Sequence, residues 1–254
     1  MRAIAAALAL GLTLASGFAT AAPLAEVKQR GSMSICAHPD ALPYANQRGD
    51  VNGFQVDLGR AVAKAIGVGF EARYIIPTHR AKLVDCDLKM DFIVEGFKEE
   101  SKVMLTQPYA RGGIALAVGR GHDEVVGVET VLPGVKIGVM LNSVTSVVLQ
   151  KRGWTTSPYA FEDDMVDDLI KGDIAAAAIS SAKIQYYVHQ HPESGIRVVH
   201  VYRDEPELGW RLAIGLRRGD AAMLAALNDA LDRLMADGTM EAIYAKYGIE
   251  YRRP

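Results

Sequence analysis

Two polar turns carry the residue types best suited to holding a small molecule. The first is the run 38–53, which holds two prolines, two asparagines, two aspartates and two glycines, a composition that breaks regular structure. It sets Tyr44 shortly after an apolar run, where the ring could wall a binding cleft or pack beneath its own loop. The second turn is Leu141-Asn142-Ser143-Val144-Thr145-Ser146, which follows an apolar tetrapeptide and opens a helical pattern. A helix start presents unpaired backbone N–H groups, so Asn142, Ser143 and Thr145 could receive an anionic group. A serine or threonine there also serves as an ordinary helix cap. Ser180 stands just beyond the apolar run 175–179, at a strand end of the kind that lines clefts in α/β proteins.

Bond-making chemistry is not indicated. There is no G-x-S-x-G elbow, no H-E-x-x-H pair and no Walker loop, so no catalytic residue and no cofactor is expected. The six histidines are scattered. His189 and His191 flank Gln190, and side chains two apart on a helix point in different directions; His38 and His79 follow predicted strands without a carboxylate at a supporting spacing. Cys36 and Cys86 lack C-x-x-C spacing, so no metal site is expected. In an oxidising compartment an even pair reads as a disulfide. Closing a loop of roughly fifty residues would be worth about 4 kcal/mol. The alternative is two unpaired buried thiols. The acidic run Glu162-Asp163-Asp164 suits the first turn of a helix, where negative charge complements the dipole.

Half of the residues are hydrophobic, enough to bury sizeable cores, and 28 basic residues nearly balance 30 acidic ones. Such a surface offers no electrostatic footprint for nucleic acid. Residues 1–22 read as a signal peptide, with Arg2, an apolar run from Ala3 to Leu14, and Ala19-Thr20-Ala21 as a small-x-small cleavage site. That run is too short to span a bilayer, and no cysteine follows the cleavage site to accept a lipid. Cleavage removes Arg2 and no acidic residue, leaving 27 basic against 30 acidic residues and a net charge of −3. The expected product is a periplasmic monomer with no membrane span.

The polar turns must be held by alternating strands and helices. Residues 33–37 read as a buried strand, and Asn52-Gly53 leads into an amphipathic helix with Phe54, Val56, Leu58, Ala61, Val62 and Ile66 as its apolar positions and Gly67 as its stop. A second strand is predicted over 69–76, a polar helix-compatible segment over 77–85, and a third strand over 91–94 that runs into Glu95-Gly96-Phe97. This βαβ series predicts a parallel sheet. After Pro108-Tyr109-Ala110-Arg111-Gly112-Gly113 the alternation restarts. Strands are predicted at 114–118, 137–140, 155–160, 174–179 and 196–202, and helices at 145–151, 162–171 and 182–191, which suggests a second α/β lobe over 113–204. A strand at 210–216 and helices at 221–236 and 240–247 follow.

The opening strand, the Leu42-Pro43-Tyr44 turn, the Gly53-Phe54-Gln55-Val56-Asp57-Leu58 helix start and the Ala61-Val62-Ala63-Lys64-Ala65-Ile66-Gly67 run resemble, in order, the opening of family 3 of the periplasmic solute-binding proteins, which serve ABC importers. Leu216-Arg217-Arg218-Gly219-Asp220 and the run from Asp237-Gly238-Thr239 to Lys246-Tyr247-Gly248 resemble that family's closing signature. The resemblance implies an α/β, two-lobed type II periplasmic-binding-protein-like fold with two hinge crossings. Residues 23–112 and 205–254 would form lobe I and 113–204 lobe II. It puts Glu95, Gly96 and Phe97 in a loop facing the cleft. The family's amino-acid binders clamp the ligand carboxylate with a first-lobe arginine and hold the ammonium with an aspartate late in the second lobe. The matching positions here are Lys102, which keeps the charge without the bidentate fork, and Ser180, which carries no charge. Arg111, beside a crossing, and Arg80 are alternative anion anchors. These departures argue against a free α-amino acid and for some other small polar or anionic ligand.

The resemblance thus implies a non-catalytic protein that closes on a small ligand and hands it to an ABC transporter permease. The Cys36 and Cys86 pair, the Leu-Pro-Tyr turn and the spacing from Lys102 through Leu105-Thr106 to Pro108-Tyr109 also resemble a divergent branch of the family found beside pyrroloquinoline-quinone-dependent methanol dehydrogenases. That branch implies an accessory protein with a periplasmic quinoprotein dehydrogenase as partner. The same fold resembles periplasmic cyclohexadienyl dehydratases, which need a cleft acid; Glu95 would be the nominee.

Overall fold

The computed structural model describes residues 24–76, 86–95, 103–216 and 219–254. The expected segment 77–85, with His79 and Arg80, and the expected site residues Gly96, Phe97 and Lys102 lie outside the described residues. The chain opens with α1 (Leu24–Arg30), β1 (Ser32–Ala37), the short pair β2 (Asp40–Ala41) and β3 (Ala45–Asn46), α2 (Phe54–Ile66), β4 (Gly69–Tyr74), β5 (Leu88–Ile93) and β6 (Met104–Leu105). It continues with β7 (Ala110–Val118), β8 (Ile137–Met140), α3 (Val144–Lys151), β9 (Thr156–Tyr159), α4 (Glu162–Lys171), β10 (Ala176–Ser180), α5 (Ser181–Gln190) and β11 (Arg197–Tyr202). β12 (Gly209–Leu216), α6 (Ala221–Ala236) and α7 (Thr239–Ala245) complete it.

Local signals place these elements well. α2 buries Phe54, Val56, Leu58 and Val62 and stops where Gly67 turns left-handed at φ 85°, its N–H reaching the carbonyls of Ala63 and Lys64. α6 begins where the Asp220 carboxylate accepts the Met223 N–H at 2.7 Å. Glu162, Asp163 and Asp164 form the first turn of α4. α1, the β2–β3 pair and β6 have no counterpart in the sequence reading.

Ten strands form one hydrogen-bonded sheet among the described residues, eight of them in the order β4-β1-β5-β12-β7-β10-β8-β9, with β6 beside β12 and β11 beside β7. The sheet is mixed rather than parallel. β4, β1 and β5 run parallel, as do β10, β8 and β9, but β12 is antiparallel to β5 and β7, and β7 is antiparallel to β10 and β11. A helical crossover delivers the next strand in the same direction, whereas the connection 119–136 between β7 and β8, which holds no α-helix, lets the chain return reversed; β11 and β12, joined by 203–208, run the same way along β7. β7 passes straight through the expected lobe boundary. Its residues 110–113 pair with β12, and 114–118 pair with β10 and β11.

The buried side chains separate on either side of these crossings. One core gathers Met33, Ile35, Phe54, Leu58, Leu88, Leu227, Leu231 and Tyr247. The other half has a core on each face of its sheet, with Leu116 and Val118 facing Ile137, Val139 and Leu149 on one side and Ala115 and Ala117 facing Met165, Leu169 and Ile184 on the other. This is the period of two expected of a strand covered on both faces. The molecule is therefore a two-lobed α/β structure with two chain crossings. Cys36, in β1, and Cys86 form a disulfide with a Cα separation of 5.5 Å. Among the described residues no helix is long and apolar enough to cross a membrane.

Candidate functional site

Where the two halves meet, side chains from both surround a cavity of about 180 Å³. Tyr44 reaches it from the β2–β3 turn. The carbonyls of Pro43 and Tyr44 accept the first N–H groups of α2, from Phe54 at 2.8 Å and Gln55 at 3.0 Å, so the loop itself caps the helix. Gly53 makes that approach possible: its φ is +94°, and a Cβ there would collide with the Tyr44 carbonyl oxygen. The Tyr44 ring packs on Phe54 with centroids 5.3 Å apart. Its hydroxyl shares a hydrogen bond with the Ser180 hydroxyl, across the cavity from one half to the other. Burial, with the Glu162 charge adding to it, pushes the Tyr44 phenol far above its usual range, so the group stays neutral.

Two carboxyl groups stand around this pair. Asp91 lines the cavity from β5, where its backbone takes a left-handed φ of 52° that a non-glycine residue rarely adopts. One carboxyl oxygen accepts the Tyr109 hydroxyl and the other the Gln55 side-chain amide at 2.6 Å. Burial lifts the Asp91 carboxyl above its usual value, and those two donors only partly oppose the lift. Glu162, at the start of α4, accepts the Ser180 N–H at 3.0 Å. Burial lifts it as well, against the pull of the Ser180 N–H and Lys183. Lys183 makes a second link between the halves, donating to the Leu42 carbonyl at 3.4 Å and pairing with Asp163 at 2.7 Å.

The crossings supply the cations. Arg111 lines the cavity from β7 and pairs with Asp204 at 2.8 Å. Arg203, one residue beyond β11, is buried and lines the same cavity; its Nη1 donates to Glu250 at 2.8 Å. Trp210, Leu212 and Tyr244 add apolar wall. Among the described residues no group of three or more His, Cys, Asp and Glu side chains could hold a metal ion.

Of the residues expected from sequence, Tyr44, Arg111 and Ser180 come together here. Asn142, Ser143 and Thr145 do not line the cavity. Ser143 caps α3 by accepting the Ser146 N–H at 3.1 Å, Asn142 takes a turn at φ 58°, and Thr145 is buried. Ser143 fills the helix-cap role. Glu95 also lies outside the lining: its carboxylate accepts the Arg211 backbone N–H at 2.7 Å and the Arg211 Nε at 2.9 Å. Partial burial pushes that carboxyl up, but the bonds to Arg211 outweigh it and hold the group below its usual value. Asp91, Glu162, Arg203 and Glu250 were missed as site residues. Asp91 gave one readable signal, a charged residue next to the apolar Phe92-Ile93-Val94 run; Glu162 was legible only as a helix start.

Residues 33–250 match the bacterial extracellular solute-binding proteins, family 3. The histidine-binding periplasmic protein of Escherichia coli K12 is 29% identical over 257 aligned positions, covering 94% of this chain and 95% of that protein. The L-cystine-binding protein of the same strain is 26% identical over 256 positions, covering 97% and 93%. Among solved structures, the L-cystine solute receptor of Neisseria gonorrhoeae in its unliganded open conformation is similar with a TM-score of 0.73 at 17% identity, covering 91% of this chain and 99% of that one. A match that runs from β1 to the C-terminal segment, over a fold with two halves and a shared cavity, means that the chain belongs to family 3 of the bacterial extracellular solute-binding proteins.

Proposed function

We propose that this chain is a periplasmic binding protein that captures a small amino-acid-type solute between its halves and delivers it to an ABC importer. The observation that carries the reading is the half-buried Asp91 carboxyl in the cavity lining, beside the Tyr44–Ser180 pair that Glu162 backs. A solute with an ammonium or other cationic group finds compensation there, and its carboxylate finds Arg111 and Arg203 in the same lining. A solute that is only anionic would be opposed by Asp91 and Glu250. The expectation of a polar or anionic ligand therefore narrows to one that also carries positive charge. Relatives that bind histidine and cystine support the class. They give no support to the quinoprotein-accessory alternative. Glu95, the nominated acid for dehydratase chemistry, is held as a carboxylate by Arg211.

In this reading residues 1–22 direct export, 23–112 with 205–254 form one lobe and 113–204 the other, and closure turns about the crossings. The ligand touches both lobes, so it favours the closed state by differential contact. A few charge-assisted bonds give a dissociation constant on the order of micromolar. Calorimetry with the protein L-amino acids and L-cystine, set against succinate, tests this. Binding of at least one amino acid and none of succinate is expected; binding of succinate alone, or of no amino acid, overturns it.

A further inference from the structure

We propose that Arg203, rather than Arg111, grips the carboxylate of the bound solute, with Glu250 as its partial counter-charge. The proposal rests on the amino-acid reading of the cavity and adds the residue that enforces the carboxylate requirement. Arg203 is the more deeply placed cation, its side chain only 7% exposed, and it lines the same cavity as Asp91. Its charge is incompletely matched. Glu250 takes only Nη1, is itself half-exposed, and divides its carboxylate between Arg203 and Arg252, whose Nε it accepts at 2.8 Å. The Arg203 Nε is buried with no hydrogen-bond partner among the described residues. A guanidinium bound through a single Nη keeps further donors for a carboxylate.

Arg111 is the weaker anchor on the same physics. Its side chain is over a third exposed and paired with an almost fully exposed Asp204, so solvent and salt screen its field. Arg203 is also held firmly in place. Its N–H donates to the Val201 carbonyl at 3.0 Å, Glu205 accepts the Gly209 N–H at 2.7 Å, and a Cβ at Gly209 would collide with the Arg203 carbonyl. The tight turn through 203–209 thus fixes the base of the side chain, and Glu250, anchored by its N–H to the Gln185 side chain at 2.9 Å, fixes the tip. A fixed donor favours a planar carboxylate over an amide or a bare amine, because the charged acceptor makes the stronger bond.

Calorimetry on the mature protein decides the matter, with L-histidine and L-arginine against L-histidinamide and L-argininamide, which lack the carboxylate. The wild type is expected to prefer the acids by roughly tenfold or more. Arg203→Met should abolish that preference, whereas Arg111→Met, which removes a screened and already paired cation, should leave most of that preference. Glu250→Gln should widen the preference for the acids severalfold, and it answers the question even if Arg203→Met does not fold. An unchanged ratio in Arg203→Met or Glu250→Gln, with the wild type binding the acids, overturns the assignment of Arg203 alone. Failure of the wild type to bind any amino acid overturns the amino-acid reading itself.

Discussion

Under the proposed function, Asp91 and Glu162 would tie ligand capture to pH at the level of single carboxyl groups. Burial raises both above the ordinary carboxylate range. The folded chain then holds these protons more tightly than the unfolded one, so the stability they contribute is fully present below about pH 4 and is lost as pH rises through the folded values. Capture of a cationic group needs the ionised forms and should run the other way. Amino-acid affinity is expected to fall on acidification below neutrality in the wild type and to fall less steeply in Asp91→Asn, as titration calorimetry across pH would show. Tyr44→Phe removes the hydroxyl that meets Ser180 across the cavity; a bond worth about 1 kcal/mol predicts roughly fivefold weaker binding. An unchanged affinity would mean that the pair only touches. Tyr44, Ser180 and Arg111 were legible because a loop after a strand, a strand end and a crossing are local features. Asp91 and Arg203 owe their settings to partners far along the chain, Gln55 36 residues away and Glu250 47 residues away, which no spacing reveals. Spacing could not separate the two roles of the Asn142-Ser143-Thr145 turn, because a helix cap, which Ser143 forms, and an anion site use the same hydroxyls and N–H groups.

The start of α2 depends on one backbone conformation. Gly53→Ala would have to hold φ near +94° and push its Cβ into the Tyr44 carbonyl, so it should cost about 1–3 kcal/mol and weaken ligand binding together; thermal melts with and without ligand would show both. The disulfide acts on β1 from one edge. Replacing Cys36 and Cys86 with serine is expected to cost up to about 4 kcal/mol, read as a lower denaturation midpoint that reductant no longer shifts. Hydrophobic periodicity found the longer strands and helices to within a few residues, since burial on one or two faces is written directly into it, and missed α1 and the two-residue strands β2, β3 and β6. Strand direction was not legible: a parallel sheet follows from helical crossovers, and nothing in the residues records that the connection 119–136 returns β8 antiparallel to β7, or that β12 slots between β5 and β7 in the opposite direction to both.

For the whole molecule, ligand should draw the halves together, and small-angle scattering is expected to show a smaller radius of gyration with a binding amino acid than without one. A radius unaffected by saturating ligand would remove the hinge from the mechanism. The two-lobed plan was readable because the strand–helix alternation starts twice. The uninterrupted β7 was not, because Gly112-Gly113 reads as a break in sequence, yet in three dimensions its lack of side chains lets the crossing backbone pack beneath Trp210 and against Tyr202 and Leu208. Four residue pairs, from Gly209 with Gly113 to Leu212 with Ala110, zip the outgoing span to the returning one. Two loose tethers would let the halves slide, tumble and separate independently, but a laced ribbon resists shear and yields chiefly to torsion. The halves should therefore travel along a single swivel coordinate, and under the proposed function a solute held between them would leave by retracing the route along which it arrived.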